Sequence, residues 1–297
     1  MLKKNREILY RWYVPYVFLS PWIIGLVVFT LVPFAASFYL SLTRYDLFTA
    51  PQYTGFDNYV RLVSDSRYMK SLEVTFVYVL VGVPFQLFVA FLLALVLNKG
   101  HRGLSLYRAI YYVPSLFGSS VAIALLWRRL FGNEGVVTQL LALVGFSGPG
   151  WINVPEYANF TLIILRIWQF GSPMVIFLAA LRQVPSELYD SASIDGAGGL
   201  RRLLHITIPM ITPVILFNVV MQMISAFQTF TQAFIISNGG GGPSRSTLFY
   251  TLYLYQHAFQ NFRMGYAAAI AWVLVLIIGG MTAISFMSSK HWVYYEK

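Results

Sequence analysis

The sequence predicts an all-α integral membrane protein with six transmembrane helices. Of its 297 residues, 58% are apolar and only 11% are Asp, Glu, Lys or Arg, whereas soluble domains average about 25% charged residues. Long stretches without a charged residue also recur along the chain, and a bilayer core needs roughly 20 apolar residues of helix. Most of the protein surface is therefore expected to face membrane lipid.

Charge-free stretches divide the chain into six candidate spans. Each is long enough to cross a bilayer as a helix, although Arg166 interrupts the fourth. The predicted spans are 16–41, 74–98, 109–131, 159–181, 209–236 and 266–289. Gly135 to Pro155 is also charge-free, but its apolar run is too short to span, which places it at an interface or inside the protein. Residues 1–297 are expected to form one membrane domain.

The distribution of Lys and Arg predicts which loops face the cytoplasm. The segments 1–15, 98–108, 182–208 and 290–297 hold 12 of these residues, and the longer loops on the opposite side hold 8. Basic residues concentrate on the cytoplasmic side of membrane proteins, so both termini are expected in the cytoplasm. The same distribution accounts for the net charge of +10. Nucleic acid is not an expected partner, because its binding needs basic residues clustered on one face.

Residue types needed for several other functions are absent or scattered. The chain has no cysteine, which excludes disulfides and thiol chemistry, and no Walker A sequence of Gly, four residues and Gly-Lys-Ser/Thr. His101, His205, His257 and His291 show no metal-ligand spacing, so we predict neither a metal site nor catalytic residues. Carboxylates lie outside the spans or at their edges, which argues against a proton- or sodium-coupled secondary transporter.

The cytoplasmic segment 184–208 is predicted to form a hairpin of two short helices. Ser186 is a candidate N-cap, and Glu187 follows it where a carboxylate favours the positive end of the helix dipole. Gly196 begins a Gly-rich turn that permits a sharp reversal through positive φ, and Pro209 ends the second helix. An amphipathic hairpin at the membrane surface is the simplest interpretation of these features alone.

The spacing within the hairpin resembles the EAA loop of binding-protein-dependent ABC importers. That loop has Glu-Ala-Ala, three residues, Gly, nine residues, Ile, one residue and Leu-Pro, and here Asp190, Ala192, Gly196, Ile206 and Pro209 stand at the corresponding positions. The wider string PSELYDSASIDGA at 185–197 is similar to the sugar-importing branch, and within it to the larger maltose-transporter permease. Three further segments agree, FLSPWIIG at 18–25, GFDNY at 55–59 and NGG at 238–240.

The chain departs from the family pattern at several positions. Asp190 replaces the usual Glu, Ser191 replaces the first Ala and Ile208 replaces Leu, which keeps a charge and a small side chain in the loop. Two extra glycines precede Pro243, and they leave the geometry of this outer loop open.

The resemblance implies a type I ABC importer permease in the cytoplasmic membrane of a bacterium or archaeon. The hairpin would then be a coupling helix that seats in a groove of a separate cytoplasmic ABC ATPase, present in two copies. The residues expected to carry this coupling are Glu187, Asp190, Ala192, Gly196, Ile206 and Pro209. No cofactor is expected in this chain, because ATP and Mg²⁺ would be bound by the ATPase.

The same resemblance implies further partners. A second homologous permease is expected to complete a heterodimer, and an extracytoplasmic sugar-binding protein would deliver a carbohydrate substrate. The sugar-binding protein would dock on outer loops that include Tyr45 to Lys70 and 238–243. Two alternatives stay open at this point, a permease of the same machinery for a non-sugar solute and a self-contained secondary transporter.

Spans four and five contain the polar residues expected to line a sugar path. Span five carries a stripe at helical spacing, which either faces a cavity or joins helices by hydrogen bonds; the resemblance favours the cavity and puts Gln222 and Thr229 at contact positions. The stripe consists of Asn218, Gln222, Ser225, Thr229 and Gln232. In span four, Trp168 could stack on a sugar ring, while Gln169 and Ser172 could bind hydroxyls. Arg166 is expected to snorkel outward rather than to bind an acidic sugar.

Overall fold

The structure is a computed structural model that describes residues 13–98, 103–143, 145 and 150–294, and these residues are mostly helical. Of the four histidines named above, His101 lies outside the described residues. The chain divides into two compact units. One comprises the residues up to Leu62 together with His257–Trp272, and the other comprises Val63–Gln256 together with the residues from Val273 onward. The single membrane domain predicted from the sequence stays a prediction.

The first unit contains the first predicted span and a small two-stranded sheet. Helix α1 covers Val14–Ser41, with a π-helical turn at Val27–Leu31. Strand β1, Thr43–Arg44, pairs antiparallel with β2, Gln52–Tyr53, and helix α2 follows at Asp57–Ser64. The Asn58 amide ties these elements together, since its Nδ2 donates to the carbonyl oxygens of Ser41 at 2.8 Å and Thr43 at 2.9 Å.

Glycine is required where the sixth span approaches this sheet. The Gly265 N–H donates to the Tyr45 carbonyl at 3.1 Å, and a Cβ at Gly265 would overlap the Thr43 carbonyl. Farther along, Phe34 and Phe38 of α1 pack on Trp272, with ring centroids 4.5 and 5.0 Å apart. None of the most apolar 18-residue window of α1 is buried, so this helix presents its apolar side chains outward.

The second unit is organised around one long helix. Helix α3, Ser66–Leu97, begins at the Asp65 side chain, which accepts hydrogen bonds from the Arg67 N–H at 2.8 Å and the Tyr68 N–H at 3.3 Å. It starts before the predicted span 74–98 because this cap permits an extra two turns. Its buried face, which includes Val74, Tyr78 and Val83, packs against the helices of spans four and five.

Spans three and four lie where the sequence predicts them, but each is broken into two helices. Helix α4, Leu104–Phe117, and helix α5, Val121–Leu130, meet at 95°, and a short helix α6 follows at Val136–Leu143. Helix α7, Pro155–Trp168, and helix α8, Gly171–Leu181, meet at 41°. The predicted spans 109–131 and 159–181 therefore each correspond to a bent pair of helices.

The hairpin runs directly into span five, so the prediction that Pro209 ends the second helix is wrong, because Pro209 lies in the first turn of the helix that follows. Helix α9 covers Ser186–Ile194, helix α10 covers Gly199–Arg202, and a π-helical turn at Leu203–Thr207 leads into α11, Ile208–Phe227. The chain then leaves helical geometry over 228–230 and resumes as α12, Thr231–Ile236. Span five is thus shorter than the predicted 209–236 as a continuous helix.

The chain ends with the sixth span. Helix α13 covers Tyr250–Tyr255, and α14 covers Met264–Trp292. The described residues contain four long helical segments that are apolar enough to cross a membrane, and six spans if each bent pair counts as one. The predicted all-α membrane fold is confirmed.

The Gly-rich loop after span five is tightly packed. Gly239, Gly241 and Gly242 all have positive φ, and a Cβ at Gly242 would overlap the Thr247 hydroxyl. Gln256 fixes the start of the loop, since its Nε2 donates to the Gly239 carbonyl at 2.7 Å. The two extra glycines therefore belong to a defined turn.

Candidate functional site

The broken helices meet at one backbone carbonyl. The α4–α5 break leaves the Gly118 carbonyl free to accept hydrogen bonds from outside its own helix. Two glutamine amides donate to it, Gln169 Nε2 and Gln232 Nε2, each at 3.1 Å. Gln169 follows α7 and Gln232 lies in α12, so this oxygen joins spans three, four and five.

A second set of side chains makes hydrogen bonds to the backbone groups that are free at the α7–α8 break. The Gln169 carbonyl accepts hydrogen bonds from Gln86 Nε2 at 2.9 Å and Ser115 Oγ at 3.0 Å, and Ser115 Oγ accepts from the Ser172 N–H at 2.9 Å. Backbone groups inside a bilayer must be paired within the protein. The sequence reasoning missed Gln86 and Ser115, although a lone glutamine in an apolar span is itself a sign of a buried partner.

Arg166 is buried between helices rather than extended toward the membrane surface. Only 4% of the residue is exposed. Its Nη2 donates to the Gln222 carbonyl at 2.6 Å and to Gln222 Oε1 at 3.2 Å, and the guanidinium lies 5.6 Å from the centroid of the Tyr78 ring. Gly82 makes room for it, because a Cβ there would lie 3.3 Å from Arg166 Cδ.

The snorkelling prediction for Arg166 is therefore wrong. An arginine on an isolated helix must reach water to be solvated, but here spans two and five supply an aromatic face and two oxygen acceptors. The described residues offer Arg166 no carboxylate partner. The result is a buried positive charge that holds Gln222.

The break after α11 divides the predicted polar stripe of span five, because Asn218, Gln222 and Ser225 lie in α11 whereas Thr229 and Gln232 lie beyond its end. Asn218 is fully buried and bonds the Val214 carbonyl through Nδ2 at 3.1 Å, while its Oδ1 has no partner among the described residues. Ser225 is exposed. Thr229 falls in the break after α11 and donates to the Ser225 carbonyl at 3.4 Å. Gln222 and Gln232 make interhelical bonds, which fits the helix-joining alternative.

The remaining predicted path residue is Trp168, at the end of α7. Its ring packs on Trp127 with centroids 5.9 Å apart, and Trp127 Nε1 donates to the Thr161 carbonyl at 2.9 Å. Trp168 is only partly buried, so part of its ring stays open to a ligand. The structure thus brings Arg166, Gln222, Gln169 and Gln232 together where the α4–α5 and α7–α8 breaks meet spans two and five. We call this region the helix junction.

The hairpin has the turn that its glycine predicts. Gly196 has φ +73°, and the Ala197 N–H closes the turn on the Ala192 carbonyl at 2.8 Å. Two side-chain bonds hold the two arms together, Arg202 Nη1 to Ser193 Oγ at 3.0 Å and Tyr189 Oη with Thr207 Oγ1 at 2.9 Å. The predicted N-cap at Ser186 is wrong, because Ser186 is the first helical residue and no side chain caps α9.

The predicted coupling residues lie on or beside this turn. Glu187, Asp190 and Gly196 are exposed, while Ala192 and Ile206 line a cavity of about 220 Å³ between the arms. Sequence reasoning missed the two most exposed apolar side chains of the hairpin, Ile194 at 88% and Leu200 at 71%. Their position on either side of the glycine turn could have identified them.

Comparison with known proteins identifies the family. The sequence profile of the binding-protein-dependent transport system inner membrane component matches residues 63–289. The chain belongs to this family of transport-system membrane subunits.

Similar proteins cover the whole chain. The probable ABC transporter permease protein YesP of Bacillus subtilis (strain 168) is 50% identical over 297 residues, which is 99% of this chain and 96% of YesP. The lactose transport system permease protein LacF of Rhizobium radiobacter is 33% identical over 298 residues, 98% of this chain and 99% of LacF.

Two solved structures share the fold. One is a bacterial ABC transporter involved in the import of the acidic polysaccharide alginate, with TM-score 0.74, 21% identity and 97% of this chain matched to 98% of that chain. The other is the bacterial alginate ABC transporter in complex with alginate pentasaccharide-bound periplasmic protein, also at TM-score 0.74 and 21% identity, over 93% and 94% of the two chains.

Gly118→Ala is expected to destabilise the helix junction. A Cβ at this position would overlap the Gln169 side chain and displace the amide from the Gly118 carbonyl. Overpacking of this kind typically costs about 1–3 kcal/mol. The thermal unfolding midpoint of the detergent-solubilised protein should therefore fall.

The matched control for this variant is Gly279→Ala in α14. No atom lies within 4 Å of a Cβ built there, so its unfolding midpoint should equal or exceed that of the wild type. Equal midpoints for the wild type and Gly118→Ala would contradict the role of the junction.

Proposed function

We propose that the chain is a permease subunit of an ATP-driven, binding-protein-dependent importer that moves a sugar or oligosaccharide across the cytoplasmic membrane. The observation that carries the proposal is the exposed hairpin of α9 and α10, which continues through a helical turn into α11 and the Gln222 contact. Family membership and the similarity to a lactose permease support the same function.

The hairpin is proposed to receive force from a separate ABC ATPase. Glu187 and Asp190 would pair with basic residues at the rim of a groove on the ATPase, and Ala192 would permit close approach. Ile194 and Leu200 join them as apolar anchors, since exposed apolar side chains of this size mark interaction sites. Two ATPase copies would bind the ATP and Mg²⁺, because this chain has no Walker A sequence.

The sugar path is proposed to lie along α11, between this chain and a second homologous permease. Gln222 and the exposed Ser225 would offer hydrogen bonds to hydroxyl groups, and Trp168 would pack against the apolar face of a sugar ring. Arg166 holds Gln222 from behind and therefore positions it. Gln169 and Thr229, which sit at the helix breaks, would move with the path when the breaks change angle.

An extracytoplasmic sugar-binding protein is proposed to dock on the first unit. The segment after α1 carries a cavity of about 310 Å³ whose rim includes arginines and aspartates, groups that suit polar contacts with another protein. Its charged residues are Arg44, Asp46, Asp57, Arg61 and Arg263. Such docking would put the cavity outside the cell and both termini in the cytoplasm.

The proposal is tested by purifying the chain with its associated subunits. An ATPase should co-purify, and its activity should rise when the receptor is loaded with the transported sugar. Stimulation by a peptide- or amino-acid-loaded receptor instead would establish the non-sugar alternative, and uptake that persists without the ATPase would establish a secondary transporter.

Gly196→Ala is expected to weaken coupling through backbone strain alone. No atom lies within 4 Å of the added Cβ, but the residue has φ +73°, where an L-residue costs roughly 1–2 kcal/mol. The ratio of the docking-competent hairpin to other hairpin conformations should fall about 5- to 30-fold. Receptor-stimulated ATPase activity should fall, with membrane insertion unchanged.

Gly199→Ala provides the control for the hairpin. Gly199 also has open space around its Cβ and no positive φ, so coupling should be retained. Full transport by Gly196→Ala would count against the hairpin as the docking element.

Arg166→Gln is expected to lower uptake of neutral and acidic sugars alike. The change removes a charged hydrogen bond to Gln222, and such bonds contribute about 1.5–3 kcal/mol, so uptake should fall at least about tenfold. Uptake of a neutral and an acidic sugar by the same variant separates positioning from direct binding. A loss confined to the acidic sugar would make Arg166 a ligand for its carboxylate, and unchanged uptake of both would remove any role.

A further inference from the structure

A cavity of about 420 Å³ lies between α4 and α8, apart from the helix junction. Its walls are formed by Arg108, Ala109 and Tyr112 of α4 and by Ser172, Val175 and Ile176 of α8. These residues follow helical spacing on each side, so two adjacent helix faces form the walls of a groove that is open to the surroundings. Most of the lining is apolar. The charged lining residue, Arg108, lies at the N-terminal end of the wall that α4 forms.

Arg108 is the polar feature that this cavity leaves unsatisfied. Its Nε is buried and has no hydrogen-bond partner among the described residues. Arg108 also lies four residues into α4, about 6 Å from the start of a helix whose first turn no side chain caps. The guanidinium favours an anion.

The surroundings of α4 favour a lipid. Leu106, Ile110, Val113 and Phe117 are all exposed, and their spacing places them on one stripe of the helix. Arg108 belongs to the basic connection 98–108 that the sequence predicts to be cytoplasmic, and the cytoplasmic leaflet carries the anionic lipids of a cell membrane.

We propose that the cavity between α4 and α8 binds an anionic phospholipid of the inner leaflet, with its phosphate on Arg108 and an acyl chain along Val175 and Ile176. A sugar fits this lining poorly, because only Tyr112 and Ser172 offer hydroxyl groups to a ligand that needs many hydrogen bonds. The side of α8 that carries Ser172 would then face lipid, and Gln222 and Ser225 would remain as the polar surface of the sugar path.

The test measures the phospholipid that stays bound to the full-length chain when it is purified with its accompanying subunits. The chain and its accompanying subunits are reconstituted in equal parts phosphatidylglycerol and phosphatidylcholine, extracted in mild detergent, and analysed by native mass spectrometry. Wild type should retain phosphatidylglycerol in excess. Arg108→Gln should retain about fivefold less of it, whereas Arg108→Lys, which keeps the charge, should retain most.

Two further variants separate the site from general surface charge. Arg182→Gln removes an exposed arginine at the end of α8 that does not line the cavity, so retention should be unchanged. Val175→Trp fills the cavity and leaves Arg108 in place, so retention should fall.

Three outcomes would overturn the proposal. They are equal retention of the two phospholipids by wild type, undiminished retention by Arg108→Gln, and an equal loss in Arg182→Gln. Cross-linking of Arg108→Cys to the second permease with undiminished lipid retention would show that polypeptide fills the space instead.

Discussion

The structure depends on the pairing of backbone carbonyls where helices break inside the membrane. Lipid offers no hydrogen bond, and an unpaired peptide group there costs several kcal/mol. The Gly118 carbonyl receives two glutamine amides, and the Gln169 carbonyl receives Gln86 and Ser115. Each donor comes from a different span. The hydrogen bonds that pair these carbonyls therefore also fix which of spans two to five lie next to one another.

This arrangement connects the hairpin to the interior of the membrane. The turn at Leu203–Thr207 keeps helical dihedral angles at both ends, so α10 and α11 form one continuous helical segment. Gln222 lies 15 residues beyond Thr207, about 22 Å along a helix. In the proposed coupling, a displacement of the hairpin would be passed along this segment toward the Arg166 contact, and the first break in helical geometry beyond that contact is at 228–230. Motion would be absorbed there and at Gly118, where glutamine side chains can follow a moving carbonyl.

The sequence predicted the spans and the hairpin because both depend on local properties. A charge-free stretch of sufficient length and a glycine at positive φ are visible in a single segment, and Gly196 has the predicted geometry. The breaks depend on tertiary contacts, so hydropathy could not locate them. Pro84 and Pro213 lie inside unbroken helices, whereas Pro173, four residues after Gln169, has no N–H to donate to the Gln169 carbonyl at the break. A helix can break where a neighbouring helix supplies a hydrogen-bond donor for the carbonyl that the break frees.

Arg166 and Arg108 show the same limit. The snorkelling prediction treated Arg166 as a residue of one helix, for which water is the only source of hydrogen bonds. In the folded chain Gln222 and Tyr78 contact the guanidinium, so the charge stays inside the protein and positions Gln222, although the Arg166 Nε has no partner among the described residues. Arg108 stands beside a helix face that no other described element covers, and its Nε finds no acceptor. A buried donor needs a partner, and when the chain does not provide one, the surrounding bilayer is the nearest source of an anion.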